Sequence, residues 1–415
     1  MEYSTSMPRE VRATLQTDAW SNVLWIMMFA GVQSFALVVA RRLGAGTLLI
    51  SAGTAVLYIP GILTWIVYLL CRRFPLGGVM IALRALAGAG TLACLFFPSL
   101  WGLALGFSML TIAGGIIEGI YPAFLRVVYP PNQQNRAMGL IYTARALGCF
   151  CWLFLLGWVL SSVSRVNSIR VLGLLGVLGF LSAAIHWQFR GVREEPVTQK
   201  PNVAAAIPPH ANPEFIRYLI SLTIYGIGIM FSLFITPILQ VDMFKLTNSQ
   251  VGALAAVAML SQMVAYMFFS RYGVIHPSNR LLGVPYMMLA APIITSVVLV
   301  FMHLYPPYHA LPFWTLLAAA VVGGIGTGIQ AMYFYLVVNA LAGSASALKY
   351  QTFQQTVVGL RGVITPFIAG IVYAHSGILP CILIAAAFML AGGVAALFLS
   401  SAPKAEETRQ VEMAR

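Results

Sequence analysis

Gly114-Gly115-Ile116-Ile117-Glu118-Gly119-Ile120 returns 209 residues later as Gly323-Gly324-Ile325-Gly326-Thr327-Gly328-Ile329, with five of the seven positions the same. Both copies lie late in a long apolar run, and each carries small residues four apart, Gly115/Gly119 and Gly324/Gly328. In lipid, that spacing lets two helix backbones approach closely. The pattern reads as two related halves of one membrane protein. Glu118 breaks the likeness, because an ionisable group deep in an apolar run is costly and marks a functional site by default.

Composition agrees. Sixty per cent of the residues are apolar and 8% are charged, against about 25% charged in soluble domains. The net charge of +13 is spread between apolar runs and forms no basic stripe with interleaved aromatics, so no nucleic-acid partner is expected. The five cysteines lie in or beside apolar runs without paired spacing, and the six histidines are scattered singly. Neither a disulfide nor a metal site nor a cofactor is expected. No nucleophile–base pair stands out, and an enzyme is not expected.

Apolar segments long enough to span a bilayer fall at 18–39, 48–70, 76–97, 100–125, 137–161 and 169–187, then at 215–239, 251–269, 281–302, 311–341, 348–373 and 379–399. The expected fold is an all-α membrane protein of twelve transmembrane helices in two pseudo-symmetric six-helix bundles, 1–187 and 215–400. A Pro-containing, charged linker (188–214) joins them and a tail (401–415) follows. With the N-terminus inside, sixteen of the 24 Lys and Arg fall on the inner side, five outside and three within spans. That bias places both termini and the linker in the cytoplasm. The setting expected is the inner membrane of a bacterium, with the chain monomeric in its bilayer.

Three local stretches carry a family resemblance: Arg136-Ala137-Met138-Gly139-Leu140 at the start of the fifth span, Asn212-Pro213-Glu214-Phe215-Ile216-Arg217 at the seventh, and Ser249-Gln250-Val251-Gly252 at the eighth. With the six-plus-six layout, they resemble the major facilitator superfamily along essentially the whole chain. That family's signature, a Gly followed by Asp-Arg-x-Gly-Arg after the second span, is reduced here to Cys71-Arg72-Arg73-Phe74. Its echo after the eighth reads Ser270-Arg271-Tyr272-Gly273, with Ser in place of the Asp. The resemblance implies cytoplasmic gate roles for Arg72, Arg271 and Gly273, although the acids of the family latch are missing.

Glu118 lies eight residues before Arg126, and Arg145 nine residues after Arg136. At 1.5 Å per residue both sit roughly 12–14 Å from the inner surface, on sequential antiparallel spans. A Glu118–Arg145 pair is therefore expected, since pairing lowers the penalty of burying both charges. Arg361 in the eleventh span has no acid in the spans of its own half, with Gln354 on its face seven residues before. These three are the candidates for substrate or proton coupling. Gln33, Tyr121, Tyr142, Tyr225, Gln262, Gln330, Tyr333, Gln354 and Gln355 are candidates for lining a central cavity. Asp18, at the start of the first span, is read as a helix cap. Arg84, on a span peripheral in the family, is read as snorkelling and left out of the site.

The function these readings imply is secondary active transport of a small polar solute, an organic anion in view of two buried Arg against one acid. It would work by alternating access, with a proton or other ion coupled to it. One alternative is a proton-coupled exporter of amphiphiles with Glu118 as the proton carrier. The other, of a different class, is a non-transporting receptor or assembly factor on the same fold.

Overall fold

A computed structural model describes residues 9–130, 133–193, 209–272, 282–303, 312–342 and 347–398. Among these are twelve spans long and apolar enough to cross a membrane. They are built from fourteen α-helices, because two spans are broken. In chain order the first half holds α1 (Arg9–Arg42), α2 (Thr47–Val56), α3 (Ile59–Arg73), α4 (Leu76–Phe96), α5 (Leu100–Val128), α6 (Gln134–Ser162), α7 (Arg165–Leu174) and α8 (Gly176–His186). The second holds α9 (Pro213–Ile238), α10 (Asn248–Tyr272), α11 (Gly283–His303), α12 (Pro312–Ala342), α13 (Ala347–Ser376) and α14 (Ile378–Leu397).

The breaks follow from local chemistry. The second span turns at Leu57 and Tyr58, where the N–H of Tyr58 reaches the Ala55 carbonyl and that of Gly61 reaches Tyr58, tight three-residue closures. Pro60, at the second position of α3, lacks an N–H that the start of a helix leaves unpaired anyway. The sixth span breaks at Leu175, beside glycines that seat it on α4: a side chain on Gly176 would meet the Gly88 carbonyl, and one on Gly173 the backbone at Leu95. Asn212 caps α9 by accepting from the N–H groups of Glu214 (3.1 Å) and Phe215 (3.2 Å), ahead of Pro213. This gives a physical reason for the Asn-Pro-Glu signal in the sequence.

The glycine repeat does the same work twice. Gly115 sits against Pro60 of α3, while Gly324 sits against Ala258 and Ser261 of α10 and Gly328 against Ala265 and Gln262. Gly119 alone of these four faces open space, with nothing within 4 Å of where a side chain would begin.

Between the halves, α6 packs along α10 and α3 along α13. Each seam closes on glycine against glycine. A Cβ built on Gly61 would lie 3.0 Å from the Gly359 Cα, and one on Gly157 would lie 3.0 Å from the Gly252 Cα. At the Arg41 end of the bundle the halves are also joined by polar contacts. Arg41 pairs with Asp242, its Nε donating at 2.9 Å. Arg42 donates to the Leu246 carbonyl, Asn248 Nδ2 to the Leu160 carbonyl (2.8 Å), and the Ser249 N–H to Ser161 Oγ (2.8 Å). Asp242 reaches this position because α9, after Pro237, widens into a turn over Leu239–Met243.

Two sequence readings are corrected. Asp18 is not a cap: α1 starts at Arg9, so Asp18 lies well inside the helix and is fully buried. Arg84 does not snorkel: it is fully buried as well. The first span was read too short because residues 9–17 are polar, and that polar opening masked the helix start.

Candidate functional site

The repeat's broken position opens onto a cavity. Glu118 and Gly119 of α5 form part of its wall with Tyr58 and Thr64 of the second span, Phe334 of α12, and Gln351, Gln354 and Gln355 of α13. Its volume is ≈ 250 Å³. Both halves contribute, so the cavity lies on the boundary between them, with one carboxylate and three amides as its chief polar groups.

Glu118 is held by Arg145 of α6, which donates to both carboxylate oxygens, Nη1 at 3.4 Å and Nη2 closer. The guanidinium also lies over the Tyr142 ring, 4.7 Å from its centroid, an attractive placement for a cation. The exposures of the two partners differ: 9% for the Arg145 side chain and 30% for Glu118. The cation is sequestered, while the carboxylate keeps a face towards the cavity. Tyr142 in turn packs edge-on against Tyr266 of α10, centroids 5.4 Å apart, so this corner touches the other half.

Arg361 of α13 lies in the second half. Its guanidinium rests on Gly226 of α9, where any side chain would collide with it. Nη1 donates to the Leu222 carbonyl, while Nε is buried without a partner. Gln354, one cavity wall, donates to Tyr218 Oη at 2.8 Å. Arg145 and Arg361 are thus each engaged within their own half.

The other candidates divide. Gln354 and Gln355 line the cavity. Tyr225 stacks on Tyr286, centroids 3.8 Å and planes 6° apart, and reaches Gln330 Oε1 at 3.4 Å. Gln262 accepts from Tyr266 Oη at 3.3 Å, and Tyr333 is buried at 3% exposure. Gln33 is an exposed position of α1 and does not line this cavity. Arg72 and Arg271 belong to α3 and α10, but their side chains lie outside what is described, as does Gly273 altogether.

Tyr121 belongs to a network that the sequence reading missed. Asp18 accepts from Tyr121 (3.0 Å), Tyr129 (3.1 Å) and Asn22 (2.7 Å). Arg84 donates to Ser21, to Ser182 (2.7 Å) and to Asn22 Oδ1 (3.3 Å), with Trp25 alongside. Asn22 therefore bridges the buried acid and the buried base, and α1, α4, α5 and α8 meet there. The available signal was the run Asp18, Ser21, Asn22, whose spacing of three and four puts all three on one helical face. Tyr58 was missed too; its signal was the neighbouring Pro60-Gly61.

No protein-family model and no curated protein sequence matches the chain. Solved structures do. A bacterial homologue of the human lysosomal transporter Spinster, inward-facing and unoccupied, aligns with a TM-score of 0.59 at 14% identity over 95% of each chain. The occupied form aligns at 0.57, with 16% identity over 95% of each. The E. coli fucose:proton symporter FucP aligns at 0.60, with 13% identity over 95% of this chain and 100% of that one. The chain has the major facilitator fold, with twelve spans as two six-helix bundles.

Proposed function

We propose that this protein is a secondary active transporter that carries a small polar solute, an organic anion, by alternating access. The observation that carries the reading is Glu118. A carboxylate charge-paired on one side by Arg145 presents its remaining face to a cavity walled by both halves. A group so placed can exchange its Arg145 contact for a proton or a substrate donor as the halves rock. The three glutamine amides of α13 supply both donors and acceptors to a polar solute. The anion preference rests on Arg361, a cation with no acidic partner among the described residues. The similarity in fold to a fucose:proton symporter makes a proton the coupling ion of first choice. Both termini and the linker are placed on the cytoplasmic side by the Lys/Arg bias.

The test is reconstitution in liposomes. Uptake of labelled monocarboxylates and of neutral polar solutes is measured with and without an imposed proton gradient, for the wild type and Glu118→Gln. Gradient-driven accumulation that Glu118→Gln abolishes supports the reading. A well-folded protein that moves none of these solutes in either direction overturns it.

A further inference from the structure

Beyond the Glu118 cavity, the second half holds a cation whose surroundings are built like a binding site. Nη1 of Arg361 is committed to the Leu222 carbonyl, and Gly226 lets the guanidinium lie flat against α9. That leaves the opposite edge, Nε with Nη2, and Nε is buried and unpaired. This edge is the one that gives a carboxylate two parallel hydrogen bonds. Tyr286 is close by: its ring stacks on Tyr225, the residue before Gly226. Its hydroxyl is also buried and unpartnered, and Tyr286 is 1% exposed. Each of these orphaned buried groups is costly, because it loses water and gains nothing. No carboxylate among the described residues answers them. The described acids of this half, Glu214 and Asp242, sit at the two ends of the seventh span and pair with Arg217 and Arg41.

Tyr58 connects this place to the cavity. It lines the cavity wall, and its ring packs on Gly362, the residue after Arg361. Tyr58 belongs to the first half, at the break between α2 and α3, so the residue next to Arg361 is packed against from the other half.

We propose that the Nε edge of Arg361 and the hydroxyl of Tyr286 form a subsite for the carboxylate of the transported solute, with Tyr58 as its cover. The subsite rests on the transport reading above and names its substrate class as a monocarboxylate. Phosphate is disfavoured, because one guanidinium edge and one phenol match the two oxygens of a carboxylate and leave a third oxyanion oxygen unanswered.

The experiment uses the full chain, purified in detergent, and follows the thermal unfolding midpoint against acetate, butyrate and benzoate. Benzamide and inorganic phosphate at matched ionic strength serve as controls. A saturable upward shift with the carboxylates alone is expected. Arg361→Gln removes it. Arg361→Lys, which keeps the charge but loses the fork, weakens it by about tenfold, and Tyr286→Phe, which deletes one hydroxyl, by about tenfold as well. Equal shifts in wild type and Arg361→Gln overturn the subsite. A shift with phosphate as large as with benzoate overturns the carboxylate assignment. If no carboxylate binds while liposomes show Glu118-dependent transport of a neutral solute, the subsite and the anion preference fall and the reading as a secondary transporter of a polar solute stands. If neither binding nor transport is found, both fall.

Discussion

Arg41 at the end of α1 and Asp242 beyond the end of α9 form the one ion pair among the described residues that joins the two halves. Their side chains are 21% and 38% exposed, so water screens the pair and its worth is modest, at most about 1 kcal/mol. Asp242→Asn should shift the balance towards opening at this end by no more than about fivefold. Spin labels at Gly46→Cys and Lys245→Cys would report it as a longer inter-label distance. An unchanged distance distribution would show that the neighbouring backbone contacts hold this end alone.

Glu118→Gln keeps the shape of the cavity wall and removes the carboxylate. Accumulation against a gradient should be lost, while exchange of solute across the liposome membrane persists at a substantial fraction of the wild-type rate. Equal loss of both would assign Glu118 to solute binding instead of coupling.

The Asp18–Asn22–Arg84 network predicts non-additive stability. Asp18→Asn leaves Arg84 buried without its counter-charge and should destabilise by about 3 kcal/mol or more. Arg84→Gln leaves the acid exposed to the same penalty. The double variant should be more stable than the worse single one, because neither charge is then stranded. Thermal melts of the four proteins measure this, and strict additivity would mean that the two charges do not sense each other.

At Gly226 the neighbour is the far end of a flexible side chain. Gly226→Ala should therefore fold, with Arg361 pushed off α9 and its bond to Leu222 broken. The melting midpoint should fall little and the response to benzoate should fall strongly. A normal benzoate response would show that the bed on α9 does not position the guanidinium.

Orientation is tested by labelling in a background lacking the five native cysteines. Arg165→Cys should react with an impermeant maleimide from outside intact cells, and Arg193→Cys only after lysis. The reverse pattern would invert the topology.

The fold was legible because lipid imposes a simple rule: every span must be a long apolar helix. Twelve such runs with a glycine repeat in matching places leave few arrangements. The Glu118–Arg145 contact was legible for the same reason, since distance from a charged helix end measures depth. What sequence could not show was direction around each helix axis. Arg84 and Arg361 both look like single charges in apolar runs. Arg84 reaches α1 and α8 and finds two hydroxyls and an amide oxygen; Arg361 lies across a glycine and finds one carbonyl. Asp18 was misread for a further reason: the helix begins nine residues before it, in a stretch whose polarity hides its continuity with the span.

The two glycine crossings, Gly61 on Gly359 and Gly157 on Gly252, belong to two separate seams between the halves, α3 on α13 and α6 on α10. Two points of closest approach fix a line. Rotation of one half about that line keeps both crossings in register, whereas sliding or separation breaks them. In such a rotation the pairs would serve as the journals of an axle, with no side chains to ratchet. Gly359→Ala would put a methyl group against the Gly61 and Ile62 backbone, thickening one journal and tilting the axis towards the other. A single carbon there, on a glycine of the cavity wall itself, would alter the path of the swing without removing any polar group of the cavity.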